Sequence, residues 1–309
     1  MMLKNLFQDS HESTMKWDST MSQTQDYHAS KRQQVFLPIL IGLLVLRIPF
    51  MAGLIFFNIR WEWTVVIFDI GTYLLTTFLI WWELERLSDY HLDTLAVMII
   101  ILFKPIQTLI LKLWGFDDDL LTFPGIPSLI VWFIAIVFMI AIWRNRSKLP
   151  GIKPISLGWL LIGMMIGLLT ALFLSFPMSL QIPSDQVSRG LSARNALAGI
   201  PMTFIYQVGY AAVTEEPLFR GFLWGYLRKL KWNELWIWLF QAGLFMFGHI
   251  YYINQHPISF WIIVPVGGLM CGWLAWRSRT IASSMMAHGM MNAGGYVFGY
   301  LVALFRFGS

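Results

Sequence analysis

Nine runs of apolar residues follow one another along this chain of 309 residues, and each is close to the length that crosses a bilayer as a helix. A bilayer core about 30 Å thick needs roughly 20 such residues. The runs cover approximately 35–57, 63–82, 94–113, 127–143, 155–176, 197–227, 235–254, 258–276 and 281–304. Irregular backbone in lipid would leave its polar groups unpaired, so each run must be helical. The sequence predicts an all-α, polytopic transmembrane helical bundle of about eight to nine spans.

Charged residues make up only 13% of the chain, whereas about a quarter is usual in a soluble protein. Most of the chain therefore has no need to face water, and membrane lipid is its first expected partner. Most of the basic residues behind the net charge of +5 lie in short loops between the apolar runs. Their positions indicate the orientation of the chain in the membrane, and we expect no nucleic-acid partner. A single cysteine, Cys271, excludes an intrachain disulfide and a CxxC metal pair.

Basic residues in the loops predict the orientation. With nine spans and a cytoplasmic N-terminus, four basic clusters face the cytoplasm, while Asp117, Asp118 and Asp119 face outward. The clusters comprise Lys31 and Arg32, then Arg144, Arg146, Lys148 and Lys153, then Arg228, Lys229 and Lys231, and finally Arg277 and Arg279. No organelle signal is apparent, so we expect a multi-pass protein of a bacterial plasma membrane.

The chain divides into three parts by polarity. Residues 1–34 form a polar leader, expected in the cytoplasm, and residues 35–143 supply the N-terminal membrane helices. After a basic connection, residues 155–304 hold every polar constellation that suggests chemistry. The loop at 177–196 is the longest outer connection and could cap a cavity.

The sixth apolar run contains three ionisable residues, Glu215, Glu216 and Arg220. Each costs roughly 2.5–3.5 kcal/mol to insert into a membrane. Glu216 and Arg220 are four residues apart, so they share a helix face and can pair. Glu215 points about 100° away and has no partner in its own helix. Pro217 follows directly and is expected to free a backbone carbonyl and kink the helix.

Polar residues in two later runs complete the pattern. His249 lies in the seventh run, and the ninth contains His288 and Asn292, four residues apart and on one face. A carboxylate and an imidazole can together deprotonate a water, while a second imidazole and an amide can stabilise an oxyanion. The combination predicts hydrolysis of a peptide bond. A serine enzyme using Ser284 and His288 is an alternative, but the sequence around Ser284 does not resemble a nucleophile motif.

Other features of the runs favour structural roles. Arg47, Asp69 and Lys104 are singletons on separate spans, which indicates pairing between helices or snorkelling more than a transport path. GxxxG spacings favour close packing of helices within the chain over dimerisation. They occur at Gly163/Gly167, Gly221/Gly225, Gly268/Gly272 and Gly295/Gly299.

Three motifs in order resemble the CPBP family of CAAX-protease and bacteriocin-processing proteins, also called Abi, which includes the type II CAAX prenyl endopeptidases. They are Glu215-Glu216-x-x-x-Arg220, Phe245-x-x-x-His249 and His288-x-x-x-Asn292. The resemblance covers about residues 200–295 and implies a CPBP-like catalytic core within 155–304. It implies that Glu215 is the catalytic carboxylate and His249 its partner on the water. Glu216 and Arg220 would brace the site, and His288 and Asn292 would form the oxyanion hole.

The resemblance leaves metal dependence and catalysis open. We expect no cofactor, and the alternative is Zn²⁺ held by Glu215, His249 and His288. The predicted function is that of an intramembrane endopeptidase acting on a membrane-associated peptide or protein, such as a prenylated tail or a bacteriocin precursor. The alternative is a non-catalytic immunity or scaffold protein of the same fold, which would not require Glu215.

Overall fold

Helices make up nearly all of the structure, a computed structural model that describes residues 32–56, 61–113, 125–148, 157–184, 187 and 192–307. These residues include no β-strand, which confirms the all-α prediction. The helices are α1 (Arg32–Gly53), α2 (Trp61–Trp82), α3 (94–113), α4 (Ile126–Arg144), α5 (Leu157–Ser179), α6 (Ala193–Ala198), α7 (200–229), α8 (Glu234–Phe247), α9 (Tyr252–Gln255), α10 (Ser259–Ser278) and α11 (Ile281–Phe307).

Four helices of the described residues, α1, α4, α5 and α10, are long and apolar enough to cross a membrane on their own. A fifth crossing is added if residues 67–82 of α2 are joined to the 3₁₀-helix Leu84–Tyr90, which bends away by 107°. The structure supports a membrane-integral helical protein, but eight to nine spans are not confirmed. The physical reason is that α7 carries five charged residues and α8 has only 14 residues.

Several predictions lie outside the described residues. They concern most of the polar leader, the acidic cluster at 117–119, the part of the basic connection that covers 149–154, and the middle of the 177–196 loop. By its contacts the chain divides after Ile41 into two units. In the first unit the described residues 32–41 are helical, and every predicted site residue belongs to the second.

Helices α5 and α11 lie side by side and run in the same direction. Gly163 faces the backbone of Ser283, Gly167 faces Ala287, and Gly299, further along α11, faces Met178 near the end of α5. A side chain at Gly167 would lie 2.9 Å from the Ala287 Cα atom. Glycine is therefore required where the two backbones meet, and the predicted packing role of this GxxxG pair is confirmed.

The helices between them alternate in direction. Helix α7 runs against α11, since Gln207 contacts Asn292 and Glu216 contacts Ser284. Helix α8 runs against α10, since Trp238 donates to the Leu269 carbonyl and Phe245 faces Gly268. Helix α10 in turn runs against α11, since Ser284 contacts the Cys271 carbonyl and Gly267 faces Met291. In chain order, the parallel helices α5 and α11 therefore come at the two ends of a series of helices that alternate in direction and form the core of the site.

A polar cluster ties the chain together at the end where α7 finishes and α8 begins. Glu234 accepts hydrogen bonds from Trp224 at 2.7 Å and from Arg228 at 2.8 Å. Arg228 also lies 2.7 Å from His91 Nε2, and the His91 carbonyl accepts from the Ile281 N–H at 3.0 Å. Burial and the neighbouring Arg228 lower the pKa of His91 to about 3. The imidazole is therefore neutral at pH 7 and can accept a hydrogen bond from Arg228.

A buried ion pair joins α2 and α3. Lys104 Nζ lies 3.2 Å from Asp69 Oδ2, and both side chains are almost fully buried. The Lys104 ammonium also lies 5.0 Å from the centre of the Tyr210 ring of α7. The predicted pairing between helices is confirmed for these two residues.

Replacing Gly167 with alanine should lower the stability by about 1–3 kcal/mol, because the added methyl meets the Ala287 backbone, which cannot move freely. The matched control is Gly243→Ala in α8, where nothing lies within 4 Å of the new methyl. Thermal unfolding in detergent measures both. Equal melting temperatures for the two variants would contradict the close packing of α5 and α11.

Replacing Lys104 with methionine should destabilise the protein by about 3–5 kcal/mol, because it leaves the Asp69 carboxylate buried without a counter-charge. The double variant Asp69→Asn/Lys104→Met removes both charges and should recover most of that loss. The same thermal measurement compares the single and double variants. A double variant no more stable than Lys104→Met would show that the pair is not coupled.

Candidate active site

The two neighbouring glutamates lie in the most buried stretch of α7, where residues 211–225 are all buried. Pro217 has no N–H to donate along the helix. The helix continues through it by a wide π-helical turn, Pro217–Leu223, and a second such turn covers Val208–Ala212. Turns of this kind are frequent at functional sites. They flank the short α-helical segment that holds Glu215 and Glu216.

Glu216 is the centre of a fully buried polar cluster. The pair expected from the four-residue spacing is present, with Arg220 Nη1 3.3 Å from Glu216 Oε1. The Ser284 hydroxyl donates to Oε2, and His288 Nδ1 lies 2.8 Å from Oε1. Because a carboxylate only accepts, His288 carries its proton on Nδ1. Glu216 thereby fixes the orientation and the tautomer of His288.

Arg220 links this cluster to two more helices. Its Nη2 donates to the Gly268 carbonyl of α10 at 3.0 Å. Its guanidinium lies 4.3 Å from the centre of the Phe245 ring of α8, a cation–π contact. Arg220 thus holds α7, α8 and α10 in a fixed relation around Glu216.

Glu215 contacts two imidazoles and a cation. His249 Nε2 lies 3.6 Å from Glu215 Oε1, and His288 Nε2 lies 3.7 Å from Oε2. Arg47 of α1 donates to Oε1 through Nη2 and forms a buried salt bridge. The expectation that Glu215 has no partner in its own helix is confirmed, and the folded chain supplies one from outside α7. Its partner comes from a helix 168 residues earlier in the sequence.

His249 lies in the turn that follows α8, not inside the helix as predicted, because α8 ends at Phe247. Its Nδ1 is 2.9 Å from the Phe245 carbonyl, and a carbonyl can only accept, so Nδ1 carries the proton. Nε2 therefore presents a lone pair and accepts from Arg47 Nη2 at 2.8 Å. His249 is thus a neutral acceptor held between a backbone carbonyl and a guanidinium.

One oxygen of Glu215 faces the second ring nitrogen of His288. The distance from Glu215 Oε2 to His288 Nε2 is 3.7 Å. Oε2 has no hydrogen-bond partner among the described residues, although it is buried. A buried carboxylate oxygen ordinarily needs a donor, and this atom is available to one that enters the site.

Asn292 lies one helical turn beyond His288 on α11, and its side chain is half-buried. Its amide donates to Gln207 Oε1 of α7 at 2.9 Å. The structure therefore brings Glu215, His249 and His288 together directly, while Asn292 is held one turn away by Gln207. An amide has two N–H groups, so one donor of Asn292 is not used by this bond.

Sequence reasoning missed the place of Arg47 in the site. The sequence shows a cation in α1 without an acid at helical spacing, and an acid in α7 without a base. These two observations show that each charge needs a partner from another helix, but they do not say which acid pairs with which base. The alternative with Ser284 as a nucleophile needs His288 as its base, but among the described residues both Ser284 and His288 bond Glu216 and no imidazole accepts from the hydroxyl.

The suggested zinc ligands do not fit a metal as they are arranged. Arg47 Nη2 already binds both Glu215 Oε1 and His249 Nε2, at the point that a bridging cation would take. A second group, Glu216, Cys271 and His288, has ligand atoms within 4.8 Å of one another. There Glu216 and His288 bond each other and Arg220 supplies the counter-charge.

Comparison with known proteins places this site within a family domain. Residues 197–294 match the family model described as type II CAAX prenyl endopeptidase Rce1-like. The match contains all four predicted catalytic residues and does not include Arg47. No curated protein matches the chain, and no solved structure matches it. The resemblance drawn from the three motifs is confirmed for this segment, which carries an Rce1-like domain of the CPBP family.

Proposed function

We propose that this protein is an intramembrane endopeptidase that hydrolyses a peptide bond with a water activated by Glu215. The observation that carries the proposal is the buried Glu215 Oε2, which has no hydrogen-bond partner among the described residues and lies 3.7 Å from His288 Nε2. A water between these two atoms would donate one hydrogen bond to Oε2 and the other to Nε2. Its own lone pair would then be free to attack a carbonyl carbon.

The proposed reaction uses each neighbouring group once. Glu215 accepts a proton as the water oxygen bonds to the carbonyl carbon, and the carbonyl oxygen becomes an oxyanion. The free N–H of Asn292 stabilises that oxyanion, while His288, which donates its Nδ1 proton to Glu216, positions the water through Nε2. When the C–N bond breaks, the proton on Glu215 passes to the leaving nitrogen. A carboxylic acid and an amine are released, and one water is consumed.

We propose that catalysis needs no metal. Arg47 Nη2 binds the two groups, Glu215 and His249, that zinc would require. Glu216, Ser284 and Arg220 support His288 from the other side. His249 accepts a hydrogen bond from Arg47 and would thereby hold the guanidinium against Glu215.

We also propose the nine-span topology with a cytoplasmic N-terminus, in a bacterial plasma membrane. The parallel packing of α5 and α11 supports it, because an odd number of crossings must separate two parallel spans. Helices α7, α8 and α10 supply three. The basic ends of α7 and α10, at Arg228 and Arg277, then lie on one side, as the positive-inside rule requires.

The substrate class follows from the location and the family. A site buried among membrane helices reaches a segment that is itself held at the membrane, so we propose a membrane-associated peptide or protein. The competing possibility is an immunity or scaffold protein that keeps the fold without catalysis. The unsatisfied Glu215 oxygen favours the enzyme, because a purely structural carboxylate would gain from a donor at each oxygen.

Glu215→Gln should lower cleavage by at least about 100-fold, because an amide cannot act as the general base. Comparing the peptidomes of cells that carry the wild type and the variant identifies the products, and the purified proteins are then compared on one of them. The control is Glu234→Gln, which removes a carboxylate outside the site. Retained cleavage by Glu215→Gln would exclude the mechanism, and identical peptidomes would favour the scaffold function.

Ser284→Ala should lower the same cleavage by only about 5-fold, the equivalent of about 1 kcal/mol for one lost hydrogen bond. The neighbouring Ser283 bonds Ser278 and the Thr280 carbonyl, so Ser283→Ala controls for loss of a buried hydroxyl outside the site. Complete loss of cleavage in Ser284→Ala alone would instead identify Ser284 as the nucleophile.

A further inference from the structure

Arg47 is a deeply buried cation in the described part of α1, at the π-helical turn Leu46–Phe50. Its guanidinium lies 5.5 Å from the centre of the Phe68 ring of α2. On the other side it passes Gly248, where an added Cβ would lie 3.3 Å from Arg47 Cγ and Nε. The side chain is therefore confined to a narrow path that leads to Glu215 and His249.

A single nitrogen of Arg47 serves both groups. Nη2 has two N–H bonds, and the structure supplies two acceptors, Glu215 Oε1 and His249 Nε2. The His249 contact depends on a neutral imidazole, because a doubly protonated ring would have no lone pair on Nε2. The guanidinium thus binds the anionic oxygen and the imidazole nitrogen that a metal ion of a His₂Glu site would bind.

We propose that Arg47 takes the place of the metal cation in this site, acting as a positioning residue that holds Glu215 and His249 and keeps divalent metals out. The role in positioning rests on the proposed peptidase function, whereas the exclusion of metal can be tested without any cleavage assay.

Removing Arg47 should then create a metal site. The imidazole nitrogens of His249 and His288 lie 3.6 Å and 3.7 Å from the two Glu215 oxygens. Small side-chain movements would let all three groups bind one ion at ligand distances of about 2.0–2.2 Å. A divalent ion would also neutralise Glu215, as Arg47 does in the wild type.

The experiment titrates purified wild type, Arg47→Gln and Arg47→Gln/His249→Ala with cobalt(II) chloride. Four-coordinate Co²⁺ bound to nitrogen and oxygen gives an intense visible absorption that hydrated Co²⁺ lacks. We expect this band in Arg47→Gln and not in the wild type, and a band weakened at least 10-fold in the double variant. Arg47→Lys retains a cation in the position and should bind no Co²⁺.

The outcomes separate the proposal from a merely structural role. A wild type that binds Co²⁺ through His249, or a folded Arg47→Gln variant that gives no band, would overturn it. If Arg47→Gln folds only when Co²⁺ is present, the ion is replacing the guanidinium and the proposal is supported; failure to fold with the ion contradicts it. Absence of cleavage by the wild type would refute the peptidase function and leave the Co²⁺ result unchanged.

Discussion

Two adjacent carboxylates buried among membrane helices are the constraint on which the rest of this structure depends. Each is matched by its own guanidinium, Arg220 for Glu216 and Arg47 for Glu215. The four charges therefore balance within the site. The Nδ1 atoms of His249 and His288 face the Phe245 carbonyl and Glu216, and their Nε2 atoms lie 3.6 Å and 3.7 Å from the Glu215 oxygens. Charge pairing thus stabilises the cluster, and the contacts of the two histidines set its geometry.

The helical frame delivers these groups by close backbone packing. Glycines on α5 and α10 let α11 and α8 approach closely enough for short polar side chains to meet. Ser284 reaches Glu216 and the Cys271 carbonyl from one position, and Arg220 reaches the Gly268 carbonyl. With larger residues at the helix contacts, these polar groups would be separated and would lose hydrogen bonds in a region without water to replace them.

Much of the site could be predicted because its parts obey helical spacing. The Glu216–Arg220 pair and the shared face of His288 and Asn292 both follow from a four-residue separation. The Arg47–Glu215 pair could not be predicted in this way. Two acids and two bases have no local partner, namely Glu215, Asp69, Arg47 and Lys104. Helical spacing does not decide which acid pairs with which base. The end of α8 before His249 was also missed, since an apolar run does not reveal where a helix changes to a turn. The number of spans remained undecided because buried polar residues lower the hydropathy of helices that pack inside the bundle.

The origin of Arg47 on α1 has a consequence for how such a protein is made. Arg47 is synthesised and inserted long before Glu215. The growing chain must therefore hold a cation near lipid until α7 has been inserted. The segment that matches the family model, residues 197–294, contains the Glu215 carboxylate but not its counter-charge, Arg47. The segment that matches the family model therefore depends on α1 for its charge balance, so the family domain and the charge-neutral unit of this site do not coincide.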